Sequence, residues 1–494
     1  MSIFKKNEQA IIALILVLAN FLIKGIFLSS NSLGGDEPFS VYHAQMDIAS
    51  IIRLLSQGNN PPLYEIFLHF WIKFFGISEF SVRFPSLIFS SLTVFYIYIL
   101  GTKFLNKRIA LYASIIFIFS NYHILFAHEA RVYSLLGLLS IVSMYYFMNV
   151  IQYCTNDTKL EDNLKLTLRR KLIILIVINT LIIYSHYFGF FILIIQLIFI
   201  VFNKNIISKY WKQLLICSSI IGLLYSPYIF VVLNRLIITS SNGSWVEKPS
   251  GFDSIYNMLQ QFSNAPVVAV FCIVILIISL VKSILNKKKE QKNIYNQLVV
   301  TWFVFVFFFM FSISYLIPMF MDRYLMPSAI AFSLVIGISL DYIIRIQKIR
   351  YLIPVIITLL FVITVKPNIT NKRNVEETVE KIKSIKNSST LVLLCPSHFV
   401  LNFIYYYDRE VFMDYSDQDI YSNIENKLSL ENIYNVNNIK EVDIEKSNHI
   451  IYLDAASMFS YPDNNILNTL NLNYKLVGEY KFYEIFNVYE YRMK

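Results

Sequence analysis

Residues 11–28 read IIALILVLANFLIKGIFL, and shortly beyond them comes Gly34-Gly35-Asp36-Glu37-Pro38. An unbroken apolar run of about 18 residues is long enough to cross a bilayer as a helix, so the two adjacent carboxylates stand just past a membrane exit. A membrane enzyme can keep a general base wet at such a place while a lipid-borne substrate lies alongside. The competing reading is a solvated turn that caps the next helix.

The rest of the chain agrees with the first run. Of its 494 residues 56% are hydrophobic, 16% aromatic and 15% charged, and the mean hydropathy is +0.53. These values exclude an ordinary soluble protein. About eleven apolar runs read as spans: 11–28, 85–101, 109–126, 132–151, 172–187, 188–202, 214–233, 267–285, 298–317, 325–342 and 351–365. The fifth and sixth adjoin at Ser185-His186-Tyr187-Phe188-Gly189 and are the hardest to separate.

Basic residues orient the set. Lys5-Lys6 and the segments 103–108, 165–171, 204–212, 282–292 and 345–350 place Lys and Arg in every second connection, as short cytoplasmic loops do. The amino terminus is therefore expected inside. Asp36, the His128 to Arg131 turn, the 234–266 loop, the 318–324 turn and the carboxyl-terminal region are expected outside. The net charge of +10 is then mostly a topology signal, and lysines spread over separate loops argue against nucleic acid as a partner. Cys154, Cys217, Cys272 and Cys395 show no paired spacing for zinc or a disulfide framework. The first run lacks a small-residue cleavage site and is expected to stay as a span, with Lys24 near its end snorkelling to the interface.

The outside loop 29–84 is too long and too patterned for a simple connection. Residues 46–57 carry Ile48, Ile51, Ile52, Leu54 and Leu55 at helical spacing. Residues 61–75 carry Leu63, Ile66, Phe67, Phe70, Trp71 and Phe74, with Pro61-Pro62 at the start and Gly76 at the end. Both read as interfacial helices. On the second, Glu65, His69 and Lys73 share one stripe, which reads as an ion-paired face turned to water. Composition changes again near Lys366-Pro367, where Asn, Lys, Asp and Glu become frequent. Domains 1–366, transmembrane, and 367–494, a soluble extracytoplasmic α/β domain, are expected. In the latter, 390–394 and 449–454 read as buried strands, 375–384 and 398–407 as helices, and 474–491 as a terminal hairpin.

Arginine on an outside face needs a reason. Arg131 follows His128-Glu129-Ala130 at the start of the fourth span, and Arg323 lies in Met321-Asp322-Arg323-Tyr324 at the mouth of the tenth. Guanidinium groups bind phosphate oxygens bidentately and stay charged when partly buried, so both suit a lipid phosphate at the interface. A head-group anchor, or an ion pair with Glu129 or Asp322, would explain each one singly.

At this point the chain resembles the integral-membrane glycosyltransferases of the GT-C fold. More narrowly, it is similar to the group of protein O-mannosyltransferases and the lipid A aminoarabinose transferase, glycosyltransferase family 39. The resemblance rests on Gly35-Asp36-Glu37, Asn60-Pro61-Pro62-Leu63-Tyr64, Arg83-Phe84-Pro85-Ser86, Glu129-Ala130-Arg131-Val132-Tyr133-Ser134-Leu135, His186-Tyr187-Phe188-Gly189, the loop 245–249, and Arg323-Tyr324-Leu325-Met326-Pro327. It implies a polytopic GT-C enzyme whose donor is a hexose or pentose on a polyprenyl phosphate and whose acidic residue in the first outside loop is the base.

Within that frame the residues take roles. An acceptor hydroxyl must lose its proton as it attacks the anomeric carbon, so Asp36 is the candidate general base, with Glu37 to orient the acceptor or substitute for it. The departing polyprenyl phosphate gains charge, which Arg131 and Arg323 would stabilise with help from Lys73 or Arg83. Direct displacement with one base would invert the anomeric centre. Glu129, Tyr133 and Tyr64 belong to the quoted motifs as substrate contacts. His43, His186 and Tyr187 share the outside face and are candidates to touch sugar or acceptor, or else structural side chains. Trp245 is a sugar platform or an interfacial anchor. A divalent cation would require Asp36, Glu37 and a histidine to meet in space, because no spacing gives a ligand set.

The expected partners are a lipid-linked sugar donor, a glycan, lipid or protein acceptor, and membrane lipids. The place is the bacterial cytoplasmic membrane, in cell-envelope glycan biosynthesis. Two rivals stand beside this reading. One is a GT-C ligase or polymerase of lipid-linked glycans, which donor size would distinguish. The other is a lipid or glycan transporter, which would need charged or broken helices near the midplane and often an internal repeat.

Overall fold

The computed structural model describes residues 2–58, 60–155, 162–242, 246–285, 293–343, 352–369, 373–414, 421–482 and 486–494. Trp245 and much of the basic segments 282–292 and 345–350 lie outside the described residues. The chain forms two compact units. The first holds Met1–Ile26, Arg53–Tyr64 and Phe84–Ile369, and the second Phe27–Ile52, Glu65–Arg83 and Thr370–Lys494. The loop 29–84, assigned from sequence to the transmembrane domain, thus divides between them.

The first unit is a helix bundle, and each of the eleven apolar runs falls on a helix. Within a single segment only a helix satisfies every backbone group in hydrocarbon, and apolar runs of this length span as helices. Among the described residues seven helices are long and apolar enough to cross a membrane. An eighth span counts if Lys107–Ile118 and Asn121–Ala127, bent by 61°, are taken as one. The protein is a multi-pass membrane protein. Tyr133–Thr155 and Asp322–Ile343 are 89% and 83% buried and form the bundle centre, whereas Lys204–Arg235 is 11% buried and peripheral. The adjoining fifth and sixth runs are two helices, Asp162–Ser185 and Phe190–Phe202, joined through the extended His186 and a 3-10 turn at Tyr187–Gly189. A Cβ on Gly189 would sit 2.5 Å from the Ile182 carbonyl oxygen, so only glycine allows this reversal.

Three polar side chains inside the bundle satisfy one another. Ser143 Oγ donates to Asn179 Oδ1, Asn179 Nδ2 to Gln196 Oε1, and Gln196 Nε2 back to Ser143 Oγ, at 2.6, 2.8 and 2.7 Å. Lys24 corrects the sequence expectation. It does not snorkel but is fully buried, with Nζ donating to Ser90 Oγ at 3.1 Å and to the Phe117 carbonyl at 3.4 Å. The ammonium also stands 4.2 Å from the Phe117 ring centroid. Polar partners within reach inside the bundle replace the trip to water.

The second unit carries a five-stranded sheet: β1 Leu391–Cys395, β2 Ile433–Asn435, β3 His449–Ala455, β4 Tyr474–Phe482 and β5 Phe486–Met493. Their order is β2-β1-β3-β5-β4. β1 pairs in parallel with β2 and β3, while β5 runs antiparallel to β3 and β4. Strands β1 and β3 are buried at every position, as a continuous apolar run predicts for a central parallel strand. Helices Val375–Ile385 and Val400–Tyr407 flank the sheet region, the latter after a 3-10 turn at Ser397–Phe399. Short helices Glu37–His43 and Ile48–Ser56 and the helix Leu63–Phe75 complete the elements of the 29–84 segment.

Residues from the loop join this unit by specific bonds. Tyr405 OH donates to the Ile77 carbonyl at 2.6 Å, and Gln45 Nε2 to the Phe412 carbonyl at 3.2 Å. The Glu65, His69 and Lys73 stripe does not look at water as a whole. Glu65 and His69 are buried, accepting from Ser40 Oγ at 2.9 Å and meeting the Ala44 carbonyl at 2.9 Å, and only Lys73 is exposed. The Glu37–His43 helix and its C-cap cover the other two, because Ser40 and the capping Ala44 supply their partners.

Candidate active site

The second unit presents the paired carboxylates, and it separates them. Asp36 is the N-cap residue of the Glu37–His43 helix, with Pro38 in the first turn, yet its side chain makes no capping hydrogen bond. Asp36 is exposed. Glu37 is 2% exposed and faces Arg83, with Nε to Oε1 and Nη2 to Oε2 both at 2.8 Å. Arg83 also donates through Nη1 to the Leu28 and Asn31 carbonyls at 3.2 and 2.7 Å, and through Nη2 to Ser32 at 3.0 Å. A guanidinium has five N–H groups. All of them are in use, so Arg83 has none left for a lipid phosphate and both Glu37 oxygens are engaged.

His43 sits on the same helix, with Nδ1 2.7 Å from the Phe39 carbonyl and its ring 3.9 Å from that of Phe39. Lys73, exposed, lies 6.0 Å from the Phe70 ring. Among the described residues no three His, Cys, Asp or Glu side chains meet as a metal-ligand set. The Asp36, Glu37 and histidine combination does not assemble, since Arg83 takes Glu37.

The first unit gathers the arginines. Arg131, in the connection before the Tyr133–Thr155 helix, and Arg323, in the 3-10 turn Asp322–Leu325, both act on His186. Burial, then Arg131 and Arg323, pushes the His186 imidazole down to about 3. His186 is neutral at any physiological pH. Its Nδ1 accepts from the Phe188 amide at 3.2 Å, so the proton resides on Nε2. That Nε2 is buried and has no hydrogen-bond partner among the described residues. Two cations acting on one buried N–H donor make a setting for an anionic oxygen.

Aromatic rings frame this group. Tyr133 and Tyr324 lie 6.2 and 5.6 Å from the His186 ring, and the Arg323 guanidinium is 5.7 Å from the Tyr324 ring. Tyr122 OH donates to the Asp322 carbonyl at 2.6 Å and fixes the 3-10 turn. Ser86 Oγ donates to the Glu129 carbonyl at 2.6 Å and fixes the turn before Arg131. Tyr187 follows His186 in its own 3-10 turn, and Tyr64 is buried in the same unit. Tyr122 and Tyr324 had no role in the sequence reading, although Tyr324 stands inside a quoted motif.

Comparison with known proteins now decides the fold. The family model described as dolichyl-phosphate-mannose-protein mannosyltransferase matches residues 59–230. The crystal structures of ArnT from Cupriavidus metallidurans, apo and bound to undecaprenyl phosphate, superpose with a TM-score of 0.60 at 10% identity, over 97% of each chain. The chain has the GT-C fold.

Another GT-C structure agrees. The archaeal oligosaccharyltransferase AglB from Archaeoglobus fulgidus, in complex with an inhibitory peptide and a dolichol-phosphate, matches with a TM-score of 0.56 at 11% identity. That match spans 96% of this chain and 73% of AglB. No curated protein sequence matches. The resemblance stated from the motifs is borne out: Asn60 to Tyr64, Arg83 to Ser86, Glu129 to Leu135 and His186 to Gly189 lie within 59–230. Asp36 and Arg323 lie outside those residues and within the GT-C fold only.

Proposed function

We propose that the protein is an extracytoplasmic glycosyltransferase of the cytoplasmic membrane that moves a sugar from a polyprenyl-phosphate donor to an acceptor hydroxyl, with inversion. The observation that carries the reading is the convergence of Arg131, Arg323 and the neutral His186. Ground-state and leaving phosphate are both anionic there, and the leaving group gains charge as the glycosidic bond breaks. ArnT with undecaprenyl phosphate and AglB with dolichol-phosphate support a lipid-phosphate carrier.

Asp36 is the base. It is exposed and its side chain caps no amide of the helix that follows, whereas Glu37 is buried against Arg83. One carboxylate receives the acceptor proton, the hydroxyl oxygen bonds to the anomeric carbon, and the bond to the lipid phosphate breaks. Arg83 and Glu37 act as scaffold in this scheme, and Lys73 remains a candidate phosphate contact.

The likeness to an oligosaccharyltransferase favours one second reading, transfer of a lipid-linked oligosaccharide. Both are tested together by mass spectrometry of lipid-linked sugars and envelope glycans from cells with the wild-type protein, without it, and with Asp36→Asn. Loss of one product and accumulation of a lipid monosaccharide in the last two supports the first reading. A lipid oligosaccharide supports the second, and an unchanged profile refutes both.

A further inference from the structure

The carboxyl-terminal part of the second unit grips the residues that lead into Asp36. Tyr406 OH accepts from the Leu33 amide at 2.6 Å, Asn402 Nδ2 donates to the Gly35 carbonyl at 3.2 Å, and the Glu376 amide donates to Ser32 Oγ at 3.2 Å. Arg373 comes closer still. A Cβ on Gly34 would lie 2.8 Å from Arg373 Cδ, and one on Gly35 only 2.4 Å from Nη1. Nη1 also reaches the Gly34 carbonyl at 3.4 Å. Gly35 adopts φ +59, a left-handed conformation that other residues reach only with strain. One neighbour therefore explains why both positions are glycine: the Arg373 stem lies where a Gly34 side chain would be, and its guanidinium where a Gly35 side chain would be.

That guanidinium rests on the residue immediately before the exposed Asp36. His398 lies in the 3-10 turn just before the helix that carries Asn402. The Asp36 carboxylate acts on its imidazole, opposing the lowering that burial causes. So the carboxyl-terminal region, beyond its sheet, supplies a cation, an amide and an imidazole around one turn of the 29–84 segment.

We infer that Arg373 is a positioning residue for the Asp36 base: it seats the Gly34-Gly35 turn and keeps a fixed positive charge beside the carboxylate. The inference rests on the reading of Asp36 given above. An exposed carboxylate is ionised at neutral pH in any case, so the guanidinium acts by holding that carboxylate in one place, as a general base within reach of its proton requires. Guanidinium stays charged in any such setting. Arg373 acts through Asp36 and need not touch substrate.

The test uses cells lacking the chromosomal copy and carrying wild type, Arg373→Met, Arg373→Gln, Arg373→Lys or Asp36→Asn. The readout is the glycan and lipid-linked sugar that vanish in the null strain. Arg373→Met and Arg373→Gln should each lower product about tenfold, because the Gly34-Gly35 turn loses its seat and the carboxylate drifts from the attacking hydroxyl. Arg373→Lys, which keeps the charge, should recover most of the loss, and purified variants should unfold with the wild-type midpoint. Wild-type output from Arg373→Gln overturns the inference, as does an Arg373→Lys protein as inactive as Arg373→Met. In those cases a dead Asp36→Asn still upholds the base. An active Asp36→Asn instead overturns the base reading and the inference with it.

Discussion

Arg83 and Glu37 meet fork to fork, two bonds of 2.8 Å between side chains that are 1% and 2% exposed. The pair sorts two neighbouring acids by task. Breaking a buried, hydrogen-bonded ion pair from one side leaves an uncompensated charge and costs about 3–5 kcal/mol. Glu37→Gln and Arg83→Met should therefore lower the thermal unfolding midpoint in detergent, while Asp36→Asn should not. A Glu37→Gln protein of normal stability that makes no product would move the base role to Glu37.

Arg131→Ala and Arg323→Ala should weaken the handling of lipid phosphate. In a reconstituted assay each raises the donor concentration needed for half-maximal rate and lowers turnover, by about 10-fold or more if the lost contact is charge-assisted. Donor dependence and turnover both equal to wild type would remove that arginine from the site.

His186 gives a pH signature. Its folded value is about 3 against an ordinary 6.5, so between those limits the unfolded chain binds more protons. The stability it contributes is complete above about pH 6.5 and falls as pH drops towards 3, by on the order of 1 kcal/mol per unit. His186→Gln should flatten that part of the stability profile. An unchanged acid slope in the variant would show that His186 is not the titrating group.

Lys24→Met should leave stability intact or raise it by about 1 kcal/mol. The change removes a buried ammonium whose partners among the described residues are a hydroxyl, a carbonyl and an aromatic face, and keeps the length of the side chain. A clearly lower unfolding midpoint would mean that those contacts outweigh desolvation.

Much of this was legible in the sequence because membrane spans are long and one-sided in composition. Eleven apolar runs became helices, and the strands at 390–394, 449–454 and the 474–491 hairpin reappear as β1, β3, β4 and β5. Strand β2, Ile433–Asn435, has three residues and no alternation to read. The site was legible as residue types but not as pairings. Glu37 finds Arg83 46 positions away, and Gly35 meets Asn402 across 367; neither separation leaves a local pattern. Arg373 had no signal except the two glycines, whose smallness pointed to a close neighbour without naming it.

The triangle of Ser143, Asn179 and Gln196 ties together the helices Tyr133–Thr155, Asp162–Ser185 and Phe190–Phe202, one vertex from each. Each vertex gives one proton and takes one, so replacing any of them by an aliphatic residue orphans a donor on one helix and an acceptor on another within hydrocarbon. Evolution can then escape only by concerted exchange. Across homologues these three columns should drift as a trio, polar together or apolar together, and a library that randomises one vertex alone should return almost nothing but the original residue.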